Sequence, residues 1–245
     1  MTTAILAILM FVVALLYASV GHAGASGYLA VMGLFGVAPS VMKPTALALN
    51  ILVASVGSYK FWRAGYFSWK LFWPFALTSI PFAFIGGSLT LSTSTYKAVV
   101  GLVLMYSAVR LFTTARLVID RPVKQPTLWV SLLVGVIIGL LSGLTGVGGG
   151  IFLSPLILLM GWAEPKPTAA VAALFILFNS MAGLLGHWSN VTGLPEQIPY
   201  WGTAVLIGGW IGAEFGSKHL TNTGIRQLLA VVLVLAGVKM IVEVL

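Results

Sequence analysis

The sequence predicts an all-α polytopic membrane protein of two related, mutually inverted halves, each with about five helical segments and a glycine-broken short helix near its centre. Three observations lead there. Of the 245 residues 59% are hydrophobic and 7% charged, and the mean hydropathy is +1.06, well outside the range of soluble domains. Apolar runs long enough to cross roughly 30 Å of hydrocarbon recur along the whole chain. A short motif, Lys43-Pro44-Thr45-Ala46, returns as Lys166-Pro167-Thr168-Ala169, an offset of 123 residues.

The first apolar run, 2–20, carries no basic residues ahead of it, which argues against a cleaved signal peptide, and it ends at the glycine-rich break His22-Ala23-Gly24-Ala25-Ser26-Gly27. A shorter apolar run, 28–37, leads to Lys43 and then to the second long run, 45–61. FWRAGYFSWKLFW, 61–73, mixes aromatic and basic residues and reads as an interfacial anchor before the run 70–90. The run 97–114 closes the first half, 1–113, and a basic linker, 114–126, carries Arg116, Arg121 and Lys124.

The second half, 127–245, repeats the plan. Its first run, 127–144, ends in LSGLTGVGGG, with Ser142 in register with Ser19 and Thr145 opposite His22. A short run, 151–162, precedes Lys166 and the long run 168–188, followed by 199–217 and 225–245. Near the ends of the halves the register becomes 129, with LSTSTYKAVVGLVLMYSAVRLF (91–112) over LTNTGIRQLLAVVLVLAGVKMI (220–241), so that Lys97 matches Arg226 and Arg110 matches Lys239.

Loop charge decides between ten segments and eight spans with two re-entrant dips. With ten, Lys60, Arg63, Lys70, Arg110, Arg116, Arg121, Lys124, Lys166, Lys218 and Arg226 share one side, against Lys43, Lys97 and Lys239 on the other. Positive residues near span ends concentrate in the cytoplasm, so five plus five segments with both termini outside is the expectation. This count makes the two halves inverted.

Function is read from the glycine stretch. A P-loop needs Lys-Ser/Thr after its glycines, and a dinucleotide fingerprint needs a βαβ unit with an acid about twenty residues on; Ile151, Phe152 and Leu153 follow instead. Inside a membrane, broken backbone is tolerated where it is buried in protein or lines a cavity. Short broken helices at matching places in two inverted halves point to a transporter's binding site. Helix N-termini near Gly148, Gly149 and Gly150, and near Ser26, would offer N–H groups to an anion. Scattered glycines such as Gly86, Gly87, Gly101, Gly208, Gly209, Gly212 and Gly216 read instead as close-packing positions.

The expected substrate-binding set is Thr145, Gly146, Gly148, Gly149 and Gly150, with Asn50 and Asn179 from the long helices and His22 from the first break. His187, near a helix end, reads as interfacial. Glu214, with Lys218 four residues on, is a candidate for proton coupling, and Lys43 and Lys166 are candidates for concentrating anions at the two entrances. The scarcity of acids, five in all, favours an anionic over a cationic substrate. Zero cysteines exclude thiolate chemistry and cysteine metal sites. No metal or cofactor is called for, and no His-Glu-x-x-His pattern, aspartyl pair or serine–histidine dyad suggests an enzyme. Thirteen scattered basic residues do not make a nucleic-acid surface, so the expected partners are a small anion and membrane lipid. Coupling ion, transport direction and oligomeric state are not encoded in these motifs.

LSGLTGVGGGIFLSPLILLMG followed by KPTAAVAALFILFNSMAG at 166–183 resembles the TauE/SafE family of membrane permeases, over essentially the whole chain. The resemblance implies inner-membrane transport of small sulfur-containing or organic anions such as sulfite, thiosulfate, sulfoacetate or related sulfonates. The first half departs from the family pattern, with HAGASG in place of the glycine cluster. The corresponding mechanism is alternating access, the two halves rocking about a central anion, with a passive anion channel as the rival.

Overall fold

The computed structural model describes residues 2–114, 123–188, 194–218, 233–235 and 237–244. Arg116, Arg121 and Arg226 lie outside the described residues. The helices are α1 (Thr2–Ala18), α2 (Ala25–Leu34), α3 (Pro39–Arg63), α4 (Trp69–Ser88), α5 (Thr93–Thr114), α6 (Leu128–Thr145), α7 (Gly150–Leu159), α8 (Pro165–His187) and α9 (Ile198–Lys218), with a further helix, α10, over Leu233–Val242. Among the described residues α3, α4, α6 and α8 are each long and apolar enough to cross a membrane. The protein is an all-α, multi-pass membrane protein.

Each boundary has a local cause. α3 and α8 begin with Pro39 and Pro165 in their first turns, where the fixed φ suits helix initiation and the missing N–H costs nothing. Both therefore start ahead of the apolar runs that announce them, and Lys43 and Lys166 lie inside the helices rather than before them. α3 closes with Lys60 and Arg63 in its last turn, where cations favour the negative end of the helix dipole. α2 and α7 have 10 residues each, about 15 Å of rise. Both are preceded by a glycine in the left-handed region, Gly24 (φ 103°) and Gly149 (φ 82°).

Helix direction follows from which residues meet. A Cβ on Gly208, Gly212 or Gly216 of α9 would overlap the carbonyls of Phe11, Leu15 and Ser19 of α1 in that order, so α1 and α9 are parallel. Gly135, Gly139 and Gly143 of α6 likewise lie on the backbone of Phe75, Ser79 and Ala83 of α4, a second parallel pair. α3 runs parallel to α9, with Leu52 against Gly202, Val53 against Gly209 and Lys60 against Glu214. α8 runs parallel to α4, with Ser79 bonded to Asn179 and Gly87 against Gly183. Between these two sets the direction reverses: Leu47 meets Gly183, Asn50 meets Ser180 and Gly57 meets Ala173, so α3 and α8 are antiparallel.

One consequence concerns the short helices. Because α1 and α3 run the same way, the chain must come back between them, and α2 is what brings it back. The same holds for α7 between α6 and α8. The larger buried apolar cluster draws mainly on α1, α2, α3, α5, α9 and α10, and also takes in Ile151 of α7 and Ile176 of α8. A second draws on α4, α6, α7 and α8. Each cluster thus takes a helix from the other half of the sequence: α9 packs on α1 and α3, and α4 on α6 and α8.

Helices in lipid gain nothing from excluding water from one another, so close backbone approach supplies much of their association. Gly139→Leu or Gly212→Leu forces a side chain into a neighbouring backbone, and overpacking of this kind costs about 1–3 kcal/mol. Each should lower the melting temperature of the purified protein clearly. Gly57→Ala should leave it nearly unchanged, because a Cβ there would meet only Ala173 Cβ at 3.6 Å.

Candidate anion-binding site

The second glycine break is held from three directions and filled by no side chain of its own. α6 stops at Gly146 (φ 83°), whose N–H donates to Ser142 O, a left-handed C-cap that only glycine adopts without strain. Gly148 (φ 81°) and Gly149 (φ 82°) repeat that conformation. The space at each is also claimed. A Cβ on Gly148 would lie 2.6 Å from Asn50 Nδ2 and 2.9 Å from Ser180 Oγ, and one on Gly149 would lie 2.9 Å from both Ile138 Cγ2 and Phe175 Cε1. Gly150 is pressed against Ile176. Backbone conformation and close approach thus both require these glycines.

Asn50 comes from α3, fully buried, and its Nδ2 donates to Val147 O and to Ser180 Oγ, each at 3.3 Å. His22 comes from the first break, with Nε2 3.2 Å from Gly150 O and Nδ1 3.1 Å from Val20 O. The structure therefore brings Asn50, His22 and the stretch 145–150 together, and adds Ser180. α7 opens here with no side-chain cap. Its first intrahelical donors are Phe152 and Leu153, both to Gly149 O at 3.1 Å, so the N–H groups of Gly150 and Ile151 precede the helical ladder. Thr145 differs from expectation in detail: its hydroxyl donates to Leu141 O at 2.7 Å, and its carbonyl accepts from Tyr96 Oη at 3.1 Å.

The first break is laced differently. Tyr28 Oη donates to Ala23 O at 2.6 Å, and Tyr17 Oη lies 3.0 Å from Ser26 Oγ. Two buried tyrosines thus hold a carbonyl and a hydroxyl of HAGASG, and the short helices that follow both breaks begin without a side-chain cap.

Other expected residues lie elsewhere. Asn179 Nδ2 donates to Ser79 Oγ at 3.1 Å and to Phe175 O at 2.8 Å, tying α8 to α4. Lys43 is 4% exposed, and its ammonium caps the end of α4 by donating to Gly86 O, Gly87 O and Leu89 O at 3.4, 2.9 and 3.3 Å. His187 Nδ1 shares Gly87 O at 3.3 Å. Lys166 donates to Tyr66 Oη at 3.0 Å and sits 4.9 Å from that ring's centroid. Glu214 pairs with Lys218, as its spacing suggests, and also with Lys60 of α3, so its charge is already balanced. At the opposite end Lys97 bonds Glu243 at 2.8 Å and holds that carboxyl below the usual carboxylate range. Among the described residues no three His, Asp or Glu side chains gather as a metal site.

Sequence reasoning missed Ser180 and Lys60. Ser180 adjoins Asn179, and only helix phase separates the residue facing the break from the one facing α4. Lys60 stands far from Glu214 in sequence, and no local spacing connects them.

Comparison with known proteins agrees with this architecture. The family model described as sulfite exporter TauE/SafE matches residues 6–240. The chain belongs to the TauE/SafE family. It is 44% identical over 240 residues to "Probable membrane transporter protein y4hK" of Sinorhizobium fredii, covering 96% of this chain and 97% of that one. "Probable membrane transporter protein YjnA" of Bacillus subtilis is 26% identical, with 90% and 92% covered. "Probable membrane transporter protein MJ0441" of Methanocaldococcus jannaschii is 26% identical, with 64% and 59% covered. No solved structure matches. As a TauE/SafE protein the chain is a membrane transporter and not an enzyme.

The two asparagines separate binding from packing. Asn50→Ala should weaken anion binding by about ten-fold, the order expected for one buried hydrogen-bonding side chain. Asn179→Ala should lower the melting temperature while leaving the dissociation constant nearly unchanged. Titration of both purified variants with anion, alongside thermal unfolding, checks this.

Proposed function

We propose that this chain carries a small sulfur-containing or organic anion, such as sulfite, thiosulfate, sulfoacetate or a related sulfonate, across the inner membrane by alternating access. The observation that carries this reading is the α7 N-terminus at Gly149-Gly150, uncapped by any side chain and enclosed by Asn50, Ser180 and His22. Unsatisfied backbone donors and the positive end of a helix dipole favour an anion. The substrate class rests on the TauE/SafE family description.

Two inverted units of five segments agree with the directions of the helices. α1, α3 and α9 run one way and their counterparts α6, α8 and α4 the other, as inversion requires. Lys60, Arg63, Lys70, Lys166 and Lys218 then share one face and Lys43, Lys97 and Lys239 the opposite one, and the excess of positive charge on the first face supports a cytoplasmic first face with both termini outside. The domains remain a first repeat at 1–113, a linker at 114–126 and a second repeat at 127–245.

The rocking bodies in this reading are not the sequence halves. The glycine ladders fasten α9 to α1 and α4 to α6, so separating the halves would break some of the closest backbone contacts among the described residues. The bodies are instead α1-α2-α3-α9 and α4-α6-α7-α8, meeting at the antiparallel α3–α8 seam, where Asn50 and Ser180 face each other beside the glycine break. Glu214, paired with Lys60 and Lys218, belongs to the first body, and Lys43 holds α3 of the first to α4 of the second.

Transport in proteoliposomes tests the reading. Uptake of labelled sulfite or thiosulfate should saturate, accelerate when unlabelled anion is trapped on the far side, and exceed acetate uptake. Gly149→Trp should abolish it and also lower the melting temperature, because a side chain on this left-handed backbone meets Ile138 and Phe175, so uptake is scored only on protein shown to be folded and membrane-inserted. Non-saturating flux without trans-acceleration would make the protein a channel, and unchanged uptake by Gly149→Trp would overturn the site.

A further inference from the structure

Helical serines and threonines in this protein commonly return their hydroxyl to the carbonyl one turn earlier. Ser55 donates to Ile51 O, Ser107 to Val103 O, Ser131 to Thr127 O, Thr145 to Leu141 O and Thr203 to Pro199 O, at 2.6 to 3.2 Å. Ser142, in the same stretch of α6 as Ser131 and Thr145, does not. Its side chain is fully buried and its Oγ has no hydrogen-bond partner. An unsatisfied buried hydroxyl is destabilising, and its persistence calls for an explanation.

Its location supplies one. Ser142 Cβ lies 3.5 Å from the position a Cβ on Gly149 would take. Gly149 is the residue that opens α7, with no side-chain cap of its own. The residue that carries the unpaired hydroxyl therefore lies against the glycine that precedes an uncapped helix N-terminus, beside Ile138 and Phe175, and both the hydroxyl and the first N–H groups can donate.

We propose that Ser142 is a substrate-binding residue, its hydroxyl donating to an oxygen of the transported oxyanion whose other oxygens accept from the first N–H groups of α7. This inference rests on the anion-carrier reading above and specifies it. The ligand is an oxyanion with at least two oxygens able to accept in different directions, so that one meets the helix N-terminus and another Ser142. A sulfur oxyanion, with three oxygens around sulfur, meets that condition.

Ser142→Ala gives opposite signs for the two possible roles of the hydroxyl. Removing a buried hydroxyl that has no partner should leave the melting temperature of anion-free protein unchanged or slightly raised, while weakening sulfite and thiosulfate binding about ten-fold. Acetate and chloride serve as comparison anions, and Gly149→Trp is measured in parallel. A fall in the anion-free melting temperature would assign the hydroxyl to the fold and overturn the proposal. So would undiminished sulfite and thiosulfate affinity in Ser142→Ala while Gly149→Trp abolishes binding, and that result would leave the site itself standing. Unchanged binding in both variants would remove the site reading and this inference together.

Discussion

Everything in this structure depends on one constraint: a peptide N–H or C=O inside hydrocarbon must find a partner within the protein. Two helices are broken in mid-chain, and each break exposes backbone groups that lipid cannot satisfy. The fold answers by burying both breaks at its centre, between bundles that run in opposite directions. It then treats the two differently. Tyr17 and Tyr28 lace the first break to Ser26 and Ala23, so its polar groups serve structure. The second break uses glycines where a side chain would collide with Asn50, Ser180, Ile138 or Phe175.

The way the bundles are assembled follows from the same solvent. Because lipid gives no hydrophobic drive to bring helices together, the tightest seams are made by glycines on backbone: 135, 139 and 143 of α6 on α4, and 208, 212 and 216 of α9 on α1. Both seams join residues from opposite halves of the sequence. The α3–α8 seam between the bundles contains instead a polar contact, Asn50 with Ser180, directly beside the break.

Much of this was legible in the sequence. Hydropathy marks the long apolar helices, and the glycine cluster locates the second break, because glycine carries its conformational meaning locally. What could not be read was anything set by helix phase or by contact between distant segments. Asn50 and Asn179 look equivalent in sequence, yet one faces the break and the other faces Ser79. Lys43 and Lys166 sit in identical tetrapeptides, yet the first caps three carbonyls of α4 and the second lies over Tyr66. The exchange of α4 and α9 between bundles was equally hidden, since a glycine three or four residues from another announces a seam but not its partner. The bond of the Thr145 hydroxyl to Leu141 O was hidden for a simpler reason, that a helical threonine can return its hydroxyl to the preceding turn.

The most direct test of the central claim is the position of a bound anion. Selenite, a heavier analogue of sulfite, soaked into crystals of the purified protein, reports its own location by anomalous scattering. The account predicts a selenium peak beside the first N–H groups of α7, within hydrogen-bonding reach of Ser142 and close to Asn50. A peak elsewhere, such as at the Lys97–Glu243 end of the molecule, with the glycine break empty, would contradict it.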